Sequence, residues 1–372
     1  MPDLKPLLEL VHEATRAGVF SGAQAEVGTL DGPVANLEVG RTGLAHCTQD
    51  SATAVHRATL FDLASVTKAA ATSVAVMLAV QRGLLTTETK LGAVLLNLPV
   101  ALAETPVSVL LQHQSGLVDW LPFYEQVPTS LLGTPEGLSL VRQAVVQQPL
   151  APHPVQRYSD LGFILLGWLL EVVAGQGLEH TFQQWIAQPL GLTHTGFLPL
   201  RAGHQPEDIA FSEVVDWRGG LIERGVVHDE NTWAMGGVSG HAGLFGTAAD
   251  LGRLARALLQ ADAGKADWLE PAVLHFCWDR ARLYPEGSFV LGWDTPSGEV
   301  SSAGRSATRT AAVGHLGFTG TSLWLDRARA AYIVLLTNRV HPKRTDQRIK
   351  AFRPRFHDLA WTLVDAAQQE TR

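Results

Sequence analysis

A serine and a lysine lie three residues apart in the stretch FDLASVTK, at Ser65 and Lys68. If a helix begins at the serine, residues i and i+3 project to the same side, so the two side chains meet. A lysine whose pKa is lowered by burial can take the proton of a serine hydroxyl, which is a poor nucleophile without such a base. The free N–H groups of a helix start also favour an oxyanion beside the serine. Taken alone, the tetrad is more typical of a serine cap followed by a surface lysine.

A tyrosine stands at the start of a second apolar pattern, RYSDLGFILLGWLLEVVAG at 157–175. Tyr158 and Asp160 lie just before a strongly apolar helix, where Asp160 or Ser159 by itself indicates only an N-cap. Beside a lysine, the phenol of Tyr158 can relay a proton to a leaving group.

A glycine-rich segment, AVGHLGFTGTSLWL at 312–325, supplies the third element. Here His315 and Gly317 belong to the pattern H-x-G-x-x-G-T, which continues into a predicted strand. Glycines let backbone N–H groups face a ligand, and an open strand edge can pair with a peptide-like substrate and complete an oxyanion hole. A single histidine beside glycines is more often structural.

Together and in this order, S-x-x-K, Y-S-D and H-L-G resemble the three motifs of the β-lactamase and penicillin-binding-protein superfamily. The most similar branch is the class C-like serine hydrolases. LLQHQSGL at 110–117, GHAGLFGTAADL at 240–251 and TNRVHP at 337–342 resemble further segments of that branch, so the resemblance covers about residues 20–365. It implies an α+β (α/β sandwich) fold of the β-lactamase/transpeptidase type, with an antiparallel sheet flanked by helices and an inserted all-helical subdomain.

The resemblance also implies a role for each matching residue. Ser65 would be the acylated nucleophile, Lys68 its general base and Tyr158 the proton relay. The backbone N–H groups of Ser65 and Phe318 would form the oxyanion hole, and Gly317 would keep the strand edge open for substrate. No cofactor and no metal is required by this chemistry.

Two supporting positions depart from the family pattern. Asp160 stands where most members have Asn, so its carboxylate either raises the pKa of Lys68 or simply holds the lysine in place. His315 stands where β-lactamases and penicillin-binding proteins usually have Lys, and it carries a charge only below a pKa of about 6.5 unless neighbours raise it. A carboxylate on the substrate would then need His315 or a nearby arginine such as Arg339.

These residues predict a serine hydrolase that forms an acyl-serine intermediate with an ester, amide or peptide-like substrate, of the esterase or D-amino-acid peptidase type. One alternative is a β-lactamase or D,D-carboxypeptidase. Another is a ligand-binding or scaffold protein of the same fold that has lost turnover, and covalent acylation of Ser65 separates it from the enzymes. The expected partner is a small molecule or short peptide-like substrate, and the sequence does not indicate the oligomeric state.

A polar cluster, VVHDENTWAMGGVSGH, is predicted to form a loop over the cleft. Its metal-ligand residue types lack the spacing of a metal motif, so no metal site is predicted. His113 and Ser115, in QHQSG, are expected to brace a turn. The candidate substrate contacts are His228, Asn231, His241, Trp120 and Trp233. The two tryptophans fit packing in the core or at the rim of the cleft equally well.

Composition limits the class of protein. The chain has 372 residues, 46% hydrophobic and 17% charged, which is enough to bury a large core. Its net charge of −7 and lack of a basic run argue against nucleic acid as partner, and no stretch approaches the roughly 20 apolar residues of a membrane helix. The N-terminus lacks a signal-peptide pattern, so the chain as written is predicted to be cytoplasmic, or periplasmic or secreted if a leader was trimmed. We expect free thiols at Cys47 and Cys277, with a single bridge as the alternative.

The elements that must position these residues follow from apolar spacing. Strands are predicted on both sides of the Asp31–Gly32 turn and again in SFVLGWDT, TSLWLDRAR and AAYIVLLTN. Helices are predicted at the N-terminus and at 66–82, 136–147, 160–174, 179–187, 248–260 and 344–368. We therefore expect a sheet subdomain from residues 1–60 and 285–372, a mostly helical subdomain from residues 61–284, and the active site in the cleft between them.

Overall fold

Five antiparallel strands form the main sheet in the computed structural model, which describes residues 3–48, 51–152 and 155–370. Their order across the sheet is β2-β1-β10-β9-β8, so the first hairpin pairs with the last strands of the chain. A three-stranded sheet, β3-β7-β4, and a small β5-β6 pair lie outside it. The strands are β1 (Gly22–Thr29), β2 (Gly32–Gly40), β3 (Phe61–Asp62), β4 (Gly196–Phe197), β5 (Val214–Val215), β6 (Gly220–Leu221), β7 (Leu244–Gly246), β8 (Ala312–Leu316), β9 (Ser322–Asp326) and β10 (Ala331–Thr337).

Helices cover both faces of the sheet and fill the middle of the chain. Two of them contain π-helical turns, at Lys68–Ser73 before α3 and at Gln183–Ala187 before α9. The α-helices are α1 (Lys5–Arg16), α2 (Ala45–Thr48), α3 (Val74–Gln81), α4 (Val100–Ala103), α5 (Val107–Leu111), α6 (Pro135–Val146), α7 (Asp160–Ala174), α8 (Leu178–Phe182), α9 (Gln188–Leu190), α10 (Glu230–Ala234), α11 (Ala248–Asp262), α12 (Pro271–Cys277) and α13 (Ile349–Glu370).

Strand β1 is buried on both faces because helices pack on each side of it. Ala23, Ala25 and Val27 belong to the core that α1 and α13 cover. On the other face, Glu26 forms an ion pair with Arg256 of α11, with Nη1 3.0 Å from Oε1. Successive side chains of a strand point to opposite faces, so an alternation of small apolar and polar residues suits a strand between two helical layers.

The predicted α+β class is confirmed, with three differences in detail. The stretch 288–295 was expected to be a strand but forms only isolated bridges, Phe289 with Asp294 and Asp294 with Gly314. Gly292, at a φ of 80°, interrupts the extended backbone there. The last helix begins at Ile349 instead of residue 344, and the helix expected over 179–187 is α-helical to Phe182 and then π-helical. The subdomain division at residues 60/61 and 284/285 stays a prediction.

Two further sequence expectations concern thiols and membrane segments. Cys47 and Cys277 are free, as predicted, and burial raises the pKa of the Cys277 thiol to about 12. Among the described residues no single helix has the length and apolar composition to cross a membrane. The helices Asp160–Ala174 and Leu178–Leu190 have the required length and apolar composition only when they are taken together, and they are bent by 74° relative to each other.

Candidate active site

The nucleophile candidate Ser65 lies in a tight turn that follows β3. Ala64, just before it, has a φ of 46°, a left-handed conformation that is costly for a residue with a Cβ. The carboxylate of Asp62 stabilises the turn by accepting a hydrogen bond from the Ala64 N–H at 2.8 Å. Ser65 is half-buried and faces the cleft, and the π-helical turn starts three residues on, at Lys68. Helical backbone therefore begins at Val66, directly after Ser65, in agreement with the predicted 66–82.

Lys68 is fully buried directly behind Ser65. Its Nζ lies 2.9 Å from Ser65 Oγ and 2.6 Å from Asp160 Oδ1, and it donates to the backbone oxygen of His241 at 3.0 Å. Burial acts to lower the pKa of Lys68, but the negative charge of Asp160 and the hydroxyl of Tyr158 act the other way, and the net effect is a raised pKa. The resting site therefore holds an ammonium ion.

Tyr158 completes a hydrogen-bonded cluster with the serine and the lysine. Its hydroxyl is bonded to both side chains, and burial raises the pKa of the phenol. The ring is held by His113, whose centroid lies 4.7 Å away and whose Nδ1 accepts the N–H of Ser159 at 3.0 Å. A proton can thus move between the hydroxyls of Ser65 and Tyr158 and the ammonium of Lys68 without leaving the cluster.

Hydrogen bonds join the glycine-rich segment after β8 to the nucleophile turn. Thr319 and Thr321 donate hydroxyl hydrogen bonds to the backbone oxygens of Asp62 and Leu63, at 2.7 and 3.0 Å. A Cβ at Gly317 would lie 2.5 Å from the Leu63 oxygen, so only glycine permits this approach. The two threonines were not singled out in the sequence, although their alternation in G-F-T-G-T was the available signal.

The proposed oxyanion donors, the N–H groups of Ser65 and Phe318, belong to these two fastened segments. Both residues line the same cleft. Neither N–H donates a hydrogen bond to any part of the chain that the structure describes. Free N–H groups at the cleft suit an oxyanion, and their role as the oxyanion hole stays a prediction.

His315 is buried beside the cluster. It does not supply the positive charge that a lysine at this position of the family pattern would carry. Its Nδ1 lies 2.8 Å from the backbone oxygen of Leu316, and its side chain is 2% exposed. Burial, together with the positive charge of Lys68, lowers the pKa of His315 to about 3. The imidazole is therefore neutral at physiological pH and offers no fixed positive charge to a substrate carboxylate.

The remaining predicted contacts divide into two groups. His228 and Trp120 line the cleft, which has a volume of about 660 Å³. Asn231 is buried and binds the backbone at residues 121 and 124, and the Trp233 ring packs under a guanidinium at residue 218. The His241 ring pairs with Asp229 and does not line the cleft itself, although its backbone oxygen contacts Lys68. These last three residues support the cleft from outside its lining.

Charged side chains on the cleft wall were largely missed from sequence because distant segments bring them together. Arg339, which was considered for carboxylate binding, lies over the ring of Phe318 with its guanidinium carbon 4.3 Å from the centroid. The other cationic residues of the lining are Arg344, Lys350 and Arg353, and the acidic ones are Asp119, Asp160, Asp229, Glu230 and Asp294.

One group of described residues offers metal-ligand atoms within 4.8 Å of one another: Asp160, Asp229 and His241. Each is already engaged, because Asp160 faces the Lys68 ammonium and the other two form a pair with Oδ1 2.9 Å from Nε2. A metal ion would have to displace that ammonium. The geometry therefore favours an ammonium–carboxylate site here.

Comparisons with known proteins place the chain in one sequence family. The sequence profile of the family described as Beta-lactamase matches residues 16–353. The chain is 32% identical over 319 residues to a putative D-alanyl-D-alanine carboxypeptidase of Escherichia coli (strain K12), covering 76% of this chain and 70% of that protein. It is 33% identical over 311 residues to an N-acetylmuramyl-L-alanine amidase of Bacillus subtilis (strain 168), covering 76% and 68%.

Solved structures show the same fold at lower identity. EstCE1, a hydrolase with promiscuous acyltransferase activity, superposes with a TM-score of 0.73 at 20% identity, covering 96% of this chain and 98% of that one. The octameric penicillin-binding protein homologue from Pyrococcus abyssi gives 0.74 at 18% identity, covering 97% and 77%. These similarities confirm the predicted β-lactamase/transpeptidase-like fold.

Proposed function

The chain belongs to the beta-lactamase family of hydrolases, and we propose that it acts through an acyl-enzyme formed on Ser65. The observation that carries this proposal is the hydrogen-bonded cluster of Ser65, Lys68 and Tyr158 at the base of the cleft. A half-exposed hydroxyl bonded to a buried lysine is the arrangement that an activated serine requires.

The proposed reaction balances within this cluster. Once the Lys68–Tyr158 pair has lost a proton, it accepts the Ser65 proton as Oγ attacks the carbonyl carbon. The resulting oxyanion is stabilised by the N–H groups of Ser65 and Phe318. The C–N or C–O bond then breaks as the Tyr158 hydroxyl protonates the leaving group, and water hydrolyses the acyl-serine by the reverse proton path.

We further propose an amide substrate that contains alanine. The names of the two relatives describe a D-alanyl-D-alanine bond in one case and an N-acetylmuramyl-L-alanine bond in the other. Both are amides next to an alanine residue. The neutral His315 favours a scissile bond that has no terminal carboxylate beside this residue, which separates an amidase-type substrate from a D,D-carboxypeptidase substrate.

The test is intact-mass spectrometry after exposure to a fluorophosphonate and, separately, to a penicillin. Ser65→Ala is compared with wild type and with Ser139→Ala, an exposed serine on α6. We expect wild type and Ser139→Ala to gain the mass of one covalently bound probe molecule, and Ser65→Ala to gain none. No adduct from either probe on folded wild-type protein would overturn the proposal and favour a binding protein that has lost turnover.

Substrate class is then decided by product analysis with two peptides. One ends in D-alanyl-D-alanine and the other joins N-acetylmuramic acid to L-alanine. We expect release of the alanyl peptide from the second at a higher kcat/KM. Preferential release of D-alanine from the first would instead establish the carboxypeptidase alternative.

A further inference from the structure

The backbone of Asp294 covers one half of the edge of β8 that is not paired with β9. Its N–H donates to the oxygen of Gly314 at 2.8 Å and its oxygen accepts the N–H of Gly314 at 2.9 Å. In an antiparallel ladder the backbone groups that face one edge recur every second residue. Leu316 is therefore the next residue that faces the same side, and Phe318, with its free N–H, follows it. A peptide-like substrate lying along this edge from Phe318 meets Asp294 about 7 Å beyond Leu316.

The side chain of Asp294 lines the cleft at this point and lacks a countercharge. Its Oδ1 accepts the N–H of Thr295 at 2.9 Å, and the hydroxyl of Ser288 donates a second hydrogen bond. In the part of the chain that the structure describes, no lysine, arginine or histidine nitrogen lies within 4.0 Å of its carboxylate. Burial raises the pKa of Asp294 to about 6, which leaves it ionised at neutral pH with its charge uncompensated.

Each of the other acidic residues of the cleft lining is paired with a basic side chain. Each has a lysine, arginine or histidine nitrogen within 3 Å, and in every case the partner belongs to this chain. The pairs are Asp119 with Arg157, Asp160 with Lys68, Asp229 with His241 and Glu230 with Arg344. A partly buried carboxylate without a countercharge is costly, so Asp294 differs from its neighbours in a way that a cationic ligand would relieve.

We propose that Asp294 binds a positively charged nitrogen of the substrate, so that preferred substrates carry an ammonium group at the Gly314 end of β8. This inference rests on the proposed acyl-serine function, since it places the ammonium relative to a carbonyl held at Ser65. The neutral imidazole of His315, which lies next to Gly314 in the strand, adds no competing positive charge at this end. A substrate ammonium would supply hydrogen-bond donors to the free lone pairs of the Asp294 carboxylate.

The test compares matched cationic and neutral substrates in wild type and Asp294→Asn. One pair carries the charge on the acyl side: D-alanyl p-nitroanilide and its N-acetyl derivative. The other carries it on the leaving group: acetylthiocholine and its neutral carbon isostere, 3,3-dimethylbutyl thioacetate. The readout is the ratio of kcat/KM for the cationic over the neutral member. We expect this ratio to fall about tenfold or more in Asp294→Asn for at least one pair, because the alanyl ammonium would lose a charged hydrogen bond and the quaternary ammonium would lose the attraction of a negative charge.

Two controls make the result specific. Asp119→Asn removes another cleft carboxylate, but one already paired with Arg157, so its ratios should match those of wild type. Asparagine at position 294 retains an oxygen for the Thr295 N–H, and circular dichroism checks the fold. The ratios could be unchanged in Asp294→Asn while Ser65-dependent hydrolysis of the neutral substrates persists. That result would overturn the role of Asp294 and leave the proposed acyl-serine function in place. Absence of any hydrolysis together with absence of a Ser65 adduct would overturn the proposed function beneath it.

Discussion

The ammonium nitrogen of Lys68 lies 2.6 Å from a carboxylate oxygen of Asp160 and is completely shielded from solvent. Burial of a lysine normally favours its neutral form, which is the form that a general base needs. Here the carboxylate outweighs that effect and raises the pKa of Lys68. At neutral pH the site is therefore well oriented, but Lys68 holds a proton that it must lose before it can accept the proton of Ser65.

The first prediction is that Asp160→Asn shifts activity to lower pH. The variant removes the negative charge that raises the pKa of Lys68, so the lysine loses its proton more readily. The alkaline rise of kcat/KM should move down by about one pH unit or more, since a nearby opposite charge is worth 1–3 units. The measurement is a pH–rate profile with an uncharged ester substrate that extends from neutral pH to above 10.5, the ordinary pKa of lysine.

A control for this shift is Asp119→Asn, which removes a more distant carboxylate of the same cleft. Its profile should coincide with that of wild type. If the alkaline limb of Asp160→Asn also stays in place, the limb belongs to a group other than the Lys68–Tyr158 pair, and the assignment of Lys68 as base is wrong.

The second prediction concerns stability in acid and the buried imidazole of His315. Its pKa is about 3 in the folded chain against 6.5 for an unperturbed histidine, so between these values the unfolded chain binds more protons than the folded one. The free energy of unfolding therefore falls as the pH is lowered from about 6.5. Urea denaturation at pH 7.5 and pH 5 measures this for wild type and His315→Gln.

The glutamine variant isolates the contribution of this one residue. Other groups titrate equally in both proteins, so the difference in unfolding free energy between them should change by about 2 kcal/mol in favour of His315→Gln at pH 5. A difference that is the same at both pH values would mean that His315 accepts a proton in the folded state.

Much of the catalytic cluster was predictable because its determinants are local. The bounds of α7 match the predicted 160–174, since Ser159 accepts the N–H of Gly162 as an N-cap and Gly175, at a φ of 67°, ends the helix. The three motifs gave Ser65 and its hydrogen-bonding partners directly.

The rest of the site depends on contacts between distant segments. Asp294 forms an isolated β-bridge with Gly314, although Gly292 interrupts the extended backbone just before it. The hydrogen bond from Thr321 to Leu63 joins residues that are 258 positions apart in the sequence. Asn231 looked like a cleft residue by composition, but its amide is used to hold a neighbouring loop. No periodicity in the sequence encodes which of these polar groups meet.

The third prediction is that Gly317→Ala prevents acylation. The added Cβ would lie 2.5 Å from the backbone oxygen of Leu63, two residues before the nucleophile, so the strand edge and the nucleophile turn must separate. We expect a loss of about 1–3 kcal/mol of stability, as for other overpacked sites, and at least a hundredfold slower labelling by a fluorophosphonate. Gly32→Ala is the control because a Cβ there meets nothing within 4 Å. Normal labelling of Gly317→Ala would contradict this account of the close approach.

The fourth prediction is that Thr321→Val weakens both the fold and the acylation step. Valine has nearly the same shape but cannot donate to the Leu63 oxygen, which would keep only the hydrogen bond from the Val66 N–H, so we expect a loss of about 0.5–1.5 kcal/mol. Because this bond fixes the nucleophile turn against the segment that carries the Phe318 N–H, the labelling rate of Ser65 should fall as well. Thr362→Val, on the exposed face of α13, provides the matched substitution that should change neither quantity. Loss of stability without slower labelling would show that the threonine supports the core but does not position the nucleophile.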